Sequence, residues 1–280
     1  MIAVLADSTC DLHPESAKQL GIHIIPLHVS MQQRTLLDWQ EIDPDAVYDH
    51  MRAGGSASTS PVTVKAFMDI YLDLLTRYDA VISLHISGKL SDTVSHAQEA
   101  VRQLGQGARV HVIDTEYACA PLAELAMIAA ARAAAGDEAH QVTRAVLDAR
   151  NSMYGEFSVA TLDYLRRSGR IGRAQAFVGG LLGVRPVLSF DRGELKAARR
   201  VKVDQAAGDM LDSLKQRFGN TPLSVAIMHA GRDVERINAL RSAMVASGLN
   251  VQRGRVQLMG PVIGAHVGPG TFGFNALPLV

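Results

Sequence analysis

Apolar residues run along the first half of the chain in short continuous blocks separated by longer helical patterns. Ile2-Ala3-Val4-Leu5-Ala6, Ile22 to Val29, Val81 to Ile86 and Val110 to Ile113 are uninterrupted enough to predict strands buried on both faces. Between them lie a helix ending near Leu20-Gly21, another beginning at Asp43-Pro44, and a third with Phe67, Ile70, Tyr71 and Leu74 on one face. Helices over Pro121 to Ala135 and Glu138 to Asn151 follow. This alternation predicts an α/β fold with a parallel sheet and helices on both faces.

The rhythm changes near Gly155, which sets a boundary between an N-terminal α/β domain (1–155) and a C-terminal α/β domain (156–280). Val184 to Phe190 and Leu195 to Val203 predict a hairpin around Asp191-Arg192-Gly193. Amphipathic helices over Asp204 to Phe218 and Asp233 to Ser247 flank a strand from Leu223 to Met228 that ends at His229. A mixed or antiparallel sheet covered by helices accommodates this order.

Three strands of the first half end in polar residues, at Asp7, Ser87 and Asp114, and the carboxyl ends of parallel strands are where such sheets place their sites. After Val81 to Ile86 the chain breaks at Ser87-Gly88 and resumes as a helix whose first turn holds Ser91, Asp92 and Thr93. The Ser91 and Thr93 hydroxyls suit an anion there and Asp92 works against a highly charged one, but Ser91 taken alone is read more simply as an ordinary N-cap, so other parts of the chain must decide. Asp7 and Ser8 have the same two readings, a site loop or plain turn and cap chemistry. An aspartyl-phosphate loop is discarded because Thr9 stands where a second Asp is required. Arg52 to Pro61 predicts a flexible small-residue loop that brings Thr59 and Ser60 to the mouth of a site.

Gly260 to Gly273 predicts a rigid loop in which the backbone approaches something closely, with His266 its single ionisable side chain. Residues 161–202 carry ten Lys or Arg against three acids, although the chain as a whole has 28 of each sign and no net charge. This stretch has no interleaved aromatics, so an acidic docking partner or one anion-binding Arg suits it better than nucleic acid.

The N-terminus has no basic segment ahead of its apolar run and meets Asp7 early, and no apolar run is long enough to span a bilayer. A cytoplasmic protein is expected, not one integral to a membrane. Cys10 and Cys119 make no disulfide framework, and the scattered histidines predict no metal site and no cofactor. A serine hydrolase using Ser91 with His266 and Asp114 or Asp7 is the alternative, although Gly88-Lys89-Leu90-Ser91-Asp92 lacks nucleophile-elbow spacing. The same segment fails as a phosphate loop at Ser83 and Leu90.

Five stretches in order give the chain a wider resemblance: Asp7-Ser8-Thr9-Cys10-Asp11, Thr59-Ser60 with Phe67, Leu90-Ser91-Asp92-Thr93, Leu165 to Gly172, and Gly264-Ala265-His266-Val267-Gly268-Pro269-Gly270. Together they resemble the DegV family of bacterial fatty-acid-binding proteins over essentially the whole length. The resemblance implies two α/β domains with a lipid pocket between them. It implies a long-chain fatty acid whose carboxylate is held by Thr59, Ser91, Arg170 and His266, with Asp7, Ser8, Ser60, Thr93, Gly264 and Gly268 as supporting loop residues. It further implies a carrier, not an enzyme, presenting the acid to a separate fatty-acid kinase that makes an acyl phosphate for phospholipid synthesis. Val178, Leu181, Leu182, Val184 and Leu188 are then expected as cavity wall. The family usually has Gly-Thr-Tyr after Leu-Ser where this chain has Asp92-Thr93-Val94, so Asp92 is expected to face solvent.

Overall fold

A computed structural model describes residues 1–105, 107–177 and 183–279. The expected cavity-wall residues Val178, Leu181 and Leu182 lie outside the described residues. The chain forms two compact units, one of Met1–Ile42 with Thr59–Asn151 and one of Asp43–Ser58 with Ser152–Val280.

The first unit contains β1 (Ile2–Asp7), α1 (Pro14–Gln19), β2 (Ile22–Ile25), β3 (His28–Met31) and β4 (Arg34–Leu37). The next helix, α2 (Pro44–Arg52), belongs to the second unit although most of the first follows it. The first unit resumes with β5 (Ser58–Ser60), α3 (Val64–Leu75), β6 (Ala80–His85), α4 (Thr93–Leu104), β7 (Val110–Asp114), α5 (Ala120–Ala134) and α6 (Ala139–Ser152). Its main sheet has the order β2-β1-β6-β7 with every neighbour parallel. The continuous apolar runs follow from this, because the central strands are covered on both faces: Leu5, Ile82 and Leu84 are fully buried. Helix α3 supplies Phe67, Tyr71 and Leu74 to the same core.

Two expectations for this half need correction. The strand from Ile22 to Val29 is two strands, β2 and β3, parted at Pro26, whose missing N–H cannot join a ladder. The second of them turns at Gln32 and Gln33, both at positive φ, into β4. Thr59 and Ser60 lie not in a loop but in β5, which completes a small sheet of order β4-β3-β5.

The second unit runs β8 (Tyr154–Ser158), α7 (Asp163–Arg167), β9 (Val184–Asp191), β10 (Glu194–Lys202), α8 (Ala206–Phe218), β11 (Leu223–His229), α9 (Val234–Ala246), β12 (Val251–Leu258), α10 (Pro261–Val267) and β13 (Phe272–Pro278). They form a mixed sheet of order β10-β9-β8-β13-β11-β12, antiparallel throughout except for β11 with β12. The β9–β10 hairpin turns at Arg192 and Gly193, both at positive φ, where the sequence places it. Met210, Leu211 and Leu214 of α8 pack on Val187, Val225, Ile227 and Phe274, each such burial being worth about 1.5–3 kcal/mol.

The stretch from Gly260 to Gly273 is a short helix and not a continuous loop. Pro261 opens α10 at the position where its missing N–H costs nothing, and Gly268 closes it. The close approach expected of its glycines is present: a Cβ on Gly264 would lie 2.8 Å from the Tyr48 ring of α2, and one on Gly268 would collide with Tyr164 of α7. Tyr48 also donates from its hydroxyl to the Met259 carbonyl (2.9 Å), fixing α2 against the start of α10.

Candidate functional site

In the first unit the parallel register brings the ends of β1, β6 and β7 to one edge, and their acids tie down the segment after β6. Asp7 Oδ2 accepts from the Ile86 N–H (2.8 Å), and Asp114 Oδ2 accepts from the Gly88 N–H (3.2 Å). The Ser87 N–H donates to the Tyr117 carbonyl (2.9 Å), and the Ser87 carbonyl receives the N–H groups of Leu90 and Ser91. The segment is thus held from both neighbouring strands before α4 begins. A Cβ at Gly88 would lie 2.9 Å from Asp114 Oδ2, so the Asp114 contact needs glycine there.

At the end of this segment Ser91 Oγ lies 2.9 Å from Thr93 Oγ1 and accepts from the Thr93 N–H (3.3 Å). Two hydroxyl protons serve one mutual bond, which leaves the pair one proton to donate elsewhere. Thr93 is fully buried and Ser91 half-buried, so the remaining donor that a ligand can reach is the Ser91 hydroxyl. Asp92 is exposed, as expected, and its side chain does not cap the helix. Thr59 is half-buried and Ser60 exposed. Ser8 is buried, its Oγ accepting from the Leu27 N–H (3.0 Å), which is a turn-fixing role.

Sequence reading missed what stands behind Asp7. Tyr71, Ser83, His85 and Asp7 are fully buried and joined in a line: Tyr71 Oη to Ser83 Oγ (2.8 Å), Ser83 Oγ to His85 Nε2 (2.6 Å), and His85 Nδ1 to Asp7 Oδ2 (3.2 Å). Burial pushes the Tyr71 phenol up, so it stays protonated. At the other end Asp7 is an acceptor, which suits a proton on His85 Nδ1. The available signal was the polar pair Ser83 and His85, two apart on one face of an otherwise apolar strand.

The line has the order of a catalytic triad, yet it does not revive the hydrolase reading. The Ser83 hydroxyl is inaccessible to any substrate and already bonded to Tyr71. Asp7 and Asp114, the acids the hydrolase would need, are engaged by the backbone around Ser87.

In the second unit the chain turns just past α7 at Gly169, at positive φ, and Arg170 follows, half-buried, with its N–H on the Leu165 carbonyl and Nη1 on the Ser168 carbonyl (2.6 Å). His266 is carried by α10. Burial, with the Arg170 charge adding to it, lowers its pKa to about 4, so the imidazole is neutral at pH 7 and bears one N–H donor.

Three of the ten cations of the basic stretch form ion pairs with described residues of the unit. Arg166 pairs with Asp163, Arg173 with Asp191 and Glu194, and Arg199 with Glu156 and Asp209. Arg167, Arg192, Lys196 and Lys202 are exposed and form no ion pair with a described residue. Of the two remaining expected cavity-wall residues, Leu188 is fully buried in β9, and Val184 lines an open depression with Arg200, Lys202, Asp209 and Asp212.

Among the described residues no His, Cys, Asp and Glu group could hold a metal ion, and no helix is long and apolar enough to cross a membrane. Cys10 and Cys119 are both buried and form no disulfide, and burial pushes the Cys10 thiol far up, which makes it inert.

A family model described as an uncharacterised protein of the DegV family matches residues 1–279. A DegV domain-containing protein of Mycobacterium tuberculosis is 34% identical over 274 residues, covering 97% of this chain and 95% of that protein. The structure of a DegV family protein from Thermus thermophilus, described for its fatty acid binding, is 35% identical with a TM-score of 0.93, covering 99% of both chains. DegV from Bacillus subtilis, described as a fatty acid binding protein, is 28% identical with a TM-score of 0.88 and the same coverage.

Proposed function

The chain belongs to the DegV family, and from that premise we propose that it binds a long-chain fatty acid and acts as a carrier, not a catalyst. The observation that carries this reading is the agreement in fold and sequence, across the full chain, with the Thermus thermophilus protein described for fatty acid binding. Each polar group proposed for the head group is of a kind that binds a carboxylate. Ser91 retains a donatable proton, neutral His266 has one N–H, Arg170 brings a guanidinium, and Thr59 offers a half-buried hydroxyl. Asp92 is exposed, so solvent screens its charge at Ser91.

The energetics favour an anchored chain and a lightly held head. Burying an acyl chain yields about 0.8 kcal/mol per methylene, so the donors need only orient the carboxylate. A carrier that holds its head group with a few hydrogen-bond donors leaves that carboxylate chemically intact for another protein. The partner in this reading is a fatty-acid kinase that converts the carboxylate to an acyl phosphate for phospholipid synthesis in the cytoplasm. The exposed cations Arg167, Arg192, Lys196 and Lys202 are available to meet an acidic surface of it.

The test is mass spectrometry of the purified protein under native conditions and after denaturing extraction. Release of a long-chain fatty acid, strongly reduced in Ser91→Ala combined with Arg170→Ala, is expected. A ligand-free protein that also takes up neither oleate nor palmitate would overturn the reading.

A further inference from the structure

Two arginines on the sheet of the second unit, Arg199 of β10 and Arg185 of β9, are answered in opposite ways. Arg199 meets Glu156 through both terminal nitrogens (2.8 and 2.8 Å) and also contacts Asp209, and these carboxylates raise its pKa. Arg185 is buried more deeply, at 6% exposure, and meets only neutral groups. Its Nε donates to Ser158 Oγ (3.0 Å), its Nη2 donates to the Ser158 and Gly270 carbonyls (3.1 and 2.7 Å), and its guanidinium lies over the Phe272 ring at 4.8 Å. No carboxylate of a described residue lies within ion-pair distance of it, and its Nη1 donates to no described residue.

A second cation converges on the same place. Arg236 Nη1 donates to the Gly270 carbonyl as well (3.2 Å), so two guanidiniums share one neutral oxygen. The nearest acid to Arg236 is Asp233, at 3.8 Å and well exposed, which offsets little of either charge. Burial first, and the Arg236 charge second, depress the Arg185 pKa to about 10. Two like charges held together in a partly desolvated setting are unfavourable unless an anion joins them.

We propose that Arg185 Nη1 and the Arg236 guanidinium, beside the Gly268-Pro269-Gly270 turn, form a binding site for a phosphate-class oxyanion, separate from the carboxylate donors Arg170 and His266. Two guanidiniums match a dianion better than a carboxylate, which would neutralise only one of them. The fixed planar fork of Arg185, held by Ser158 and Gly270, presents its remaining nitrogen without further ordering.

Calorimetric titration of the delipidated full-length protein with inorganic phosphate, at constant ionic strength against a chloride control, tests this. Saturable one-site binding is expected, weakened at least ten-fold in Arg236→Gln. That residue is half-exposed and makes one bond to a carbonyl, so its loss leaves the fold intact. In protein labelled with nitrogen-15 at arginine, the Arg185 side-chain resonances are expected to shift along the same titration. Phosphate affinity should be unchanged after loading with oleate, because the two anions occupy different donors. Phosphate binding no stronger than chloride, unaltered affinity in Arg236→Gln, or loss of phosphate binding on oleate loading would each overturn the proposal. The chloride comparison and the Arg236→Gln outcome do not depend on whether fatty acid binding itself is found.

Discussion

His85 Nδ1 and Asp7 Oδ2 face each other at 3.2 Å, both fully buried, at the ends of adjacent parallel strands. The same carboxylate oxygen accepts from the Ile86 N–H, while Oδ1 takes the N–H and hydroxyl of Thr9. Asp7 therefore fixes its own turn and the segment leading to Ser91 at once. Asp7→Asn would aim an amide N–H₂ at one set of these donors. It is expected to destabilise the protein by about 2–4 kcal/mol, the range for breaking a buried charged hydrogen-bond group, as measured by urea unfolding. A loss under 1 kcal/mol would show the network to be dispensable.

Gly88 tests the link from that network to ligand binding with less damage to the fold. It is exposed and its φ is not positive, so Ala is tolerated by the backbone; only its Cβ, 2.9 Å from Asp114 Oδ2, is in conflict. Gly88→Ala should cost at most about 1 kcal/mol of stability, because Asp114 can turn away toward water. The segment carrying Ser91 would lose one of its two carboxylate ties, and oleate affinity is expected to fall several-fold by fluorescence competition. Unchanged affinity would separate the Asp114 contact from the site.

The parallel sheet of the first unit and the β9–β10 hairpin were legible in the sequence because their signals are local: continuous apolar runs, and Asp-Arg-Gly between two alternating segments. Strands β4, β12 and β13 were not, since Arg34–Leu37 and Val251–Leu258 mix polar and apolar residues without strict period and owe their pairing to distant partners. Helix α10 was hidden by its glycines, which have low helix propensity and are present because Tyr48 and Tyr164 lie against them. For the site, residue types at strand ends pointed to Asp7, Ser87 and Asp114, and the first turn of the following helix pointed to Ser91. Nothing in the sequence said that Asp7 and Asp114 serve the backbone of the intervening segment, nor that Arg185 is buried without a carboxylate. Those are relations between strands far apart in the chain.

The Tyr48 contact gives a steric prediction confined to the second unit. Gly264→Ala would place a methyl 2.8 Å from the Tyr48 ring, a fully buried side chain with no room to swing. Overpacking of this kind costs about 1–3 kcal/mol. The loss should be recovered in part by adding Tyr48→Leu, which opens space while forfeiting the bond to the Met259 carbonyl. Thermal unfolding of the single and double variants checks it; equal melting temperatures for Gly264→Ala and wild type would mean that the two helices part freely.

Glu156 is 1% exposed, and its carboxylate takes both terminal nitrogens of Arg199, the Tyr154 hydroxyl (2.7 Å) and the Ser213 hydroxyl (3.2 Å). Arg199→Met leaves that charge without its cation and should cost about 3–5 kcal/mol. Replacing both, Glu156→Leu with Arg199→Met, removes the stranded charge and should cost less than Arg199→Met alone. A double-mutant cycle by urea unfolding that found the two losses additive would refute the pairing.

His266 supplies the pH dependence. Its folded pKa, about 4, lies below its ordinary value of 6.5, so the unfolded chain binds this proton first as pH falls. Above pH 6.5 both states are neutral at this residue and its contribution to stability is complete. Between about pH 6.5 and 4 the unfolded state is increasingly favoured, and below 4 the difference no longer grows. His266→Gln, which keeps a donor but cannot titrate, should therefore unfold with a flatter stability profile across that window and match wild type in slope above it. A carboxylate bound against His266 would favour the imidazolium, so bound fatty acid should raise the His266 pKa and narrow the window from its acid side. Proton NMR of the His266 ring with and without oleate reads this directly: an upward shift places the head group beside His266, and an unmoved pKa places it elsewhere.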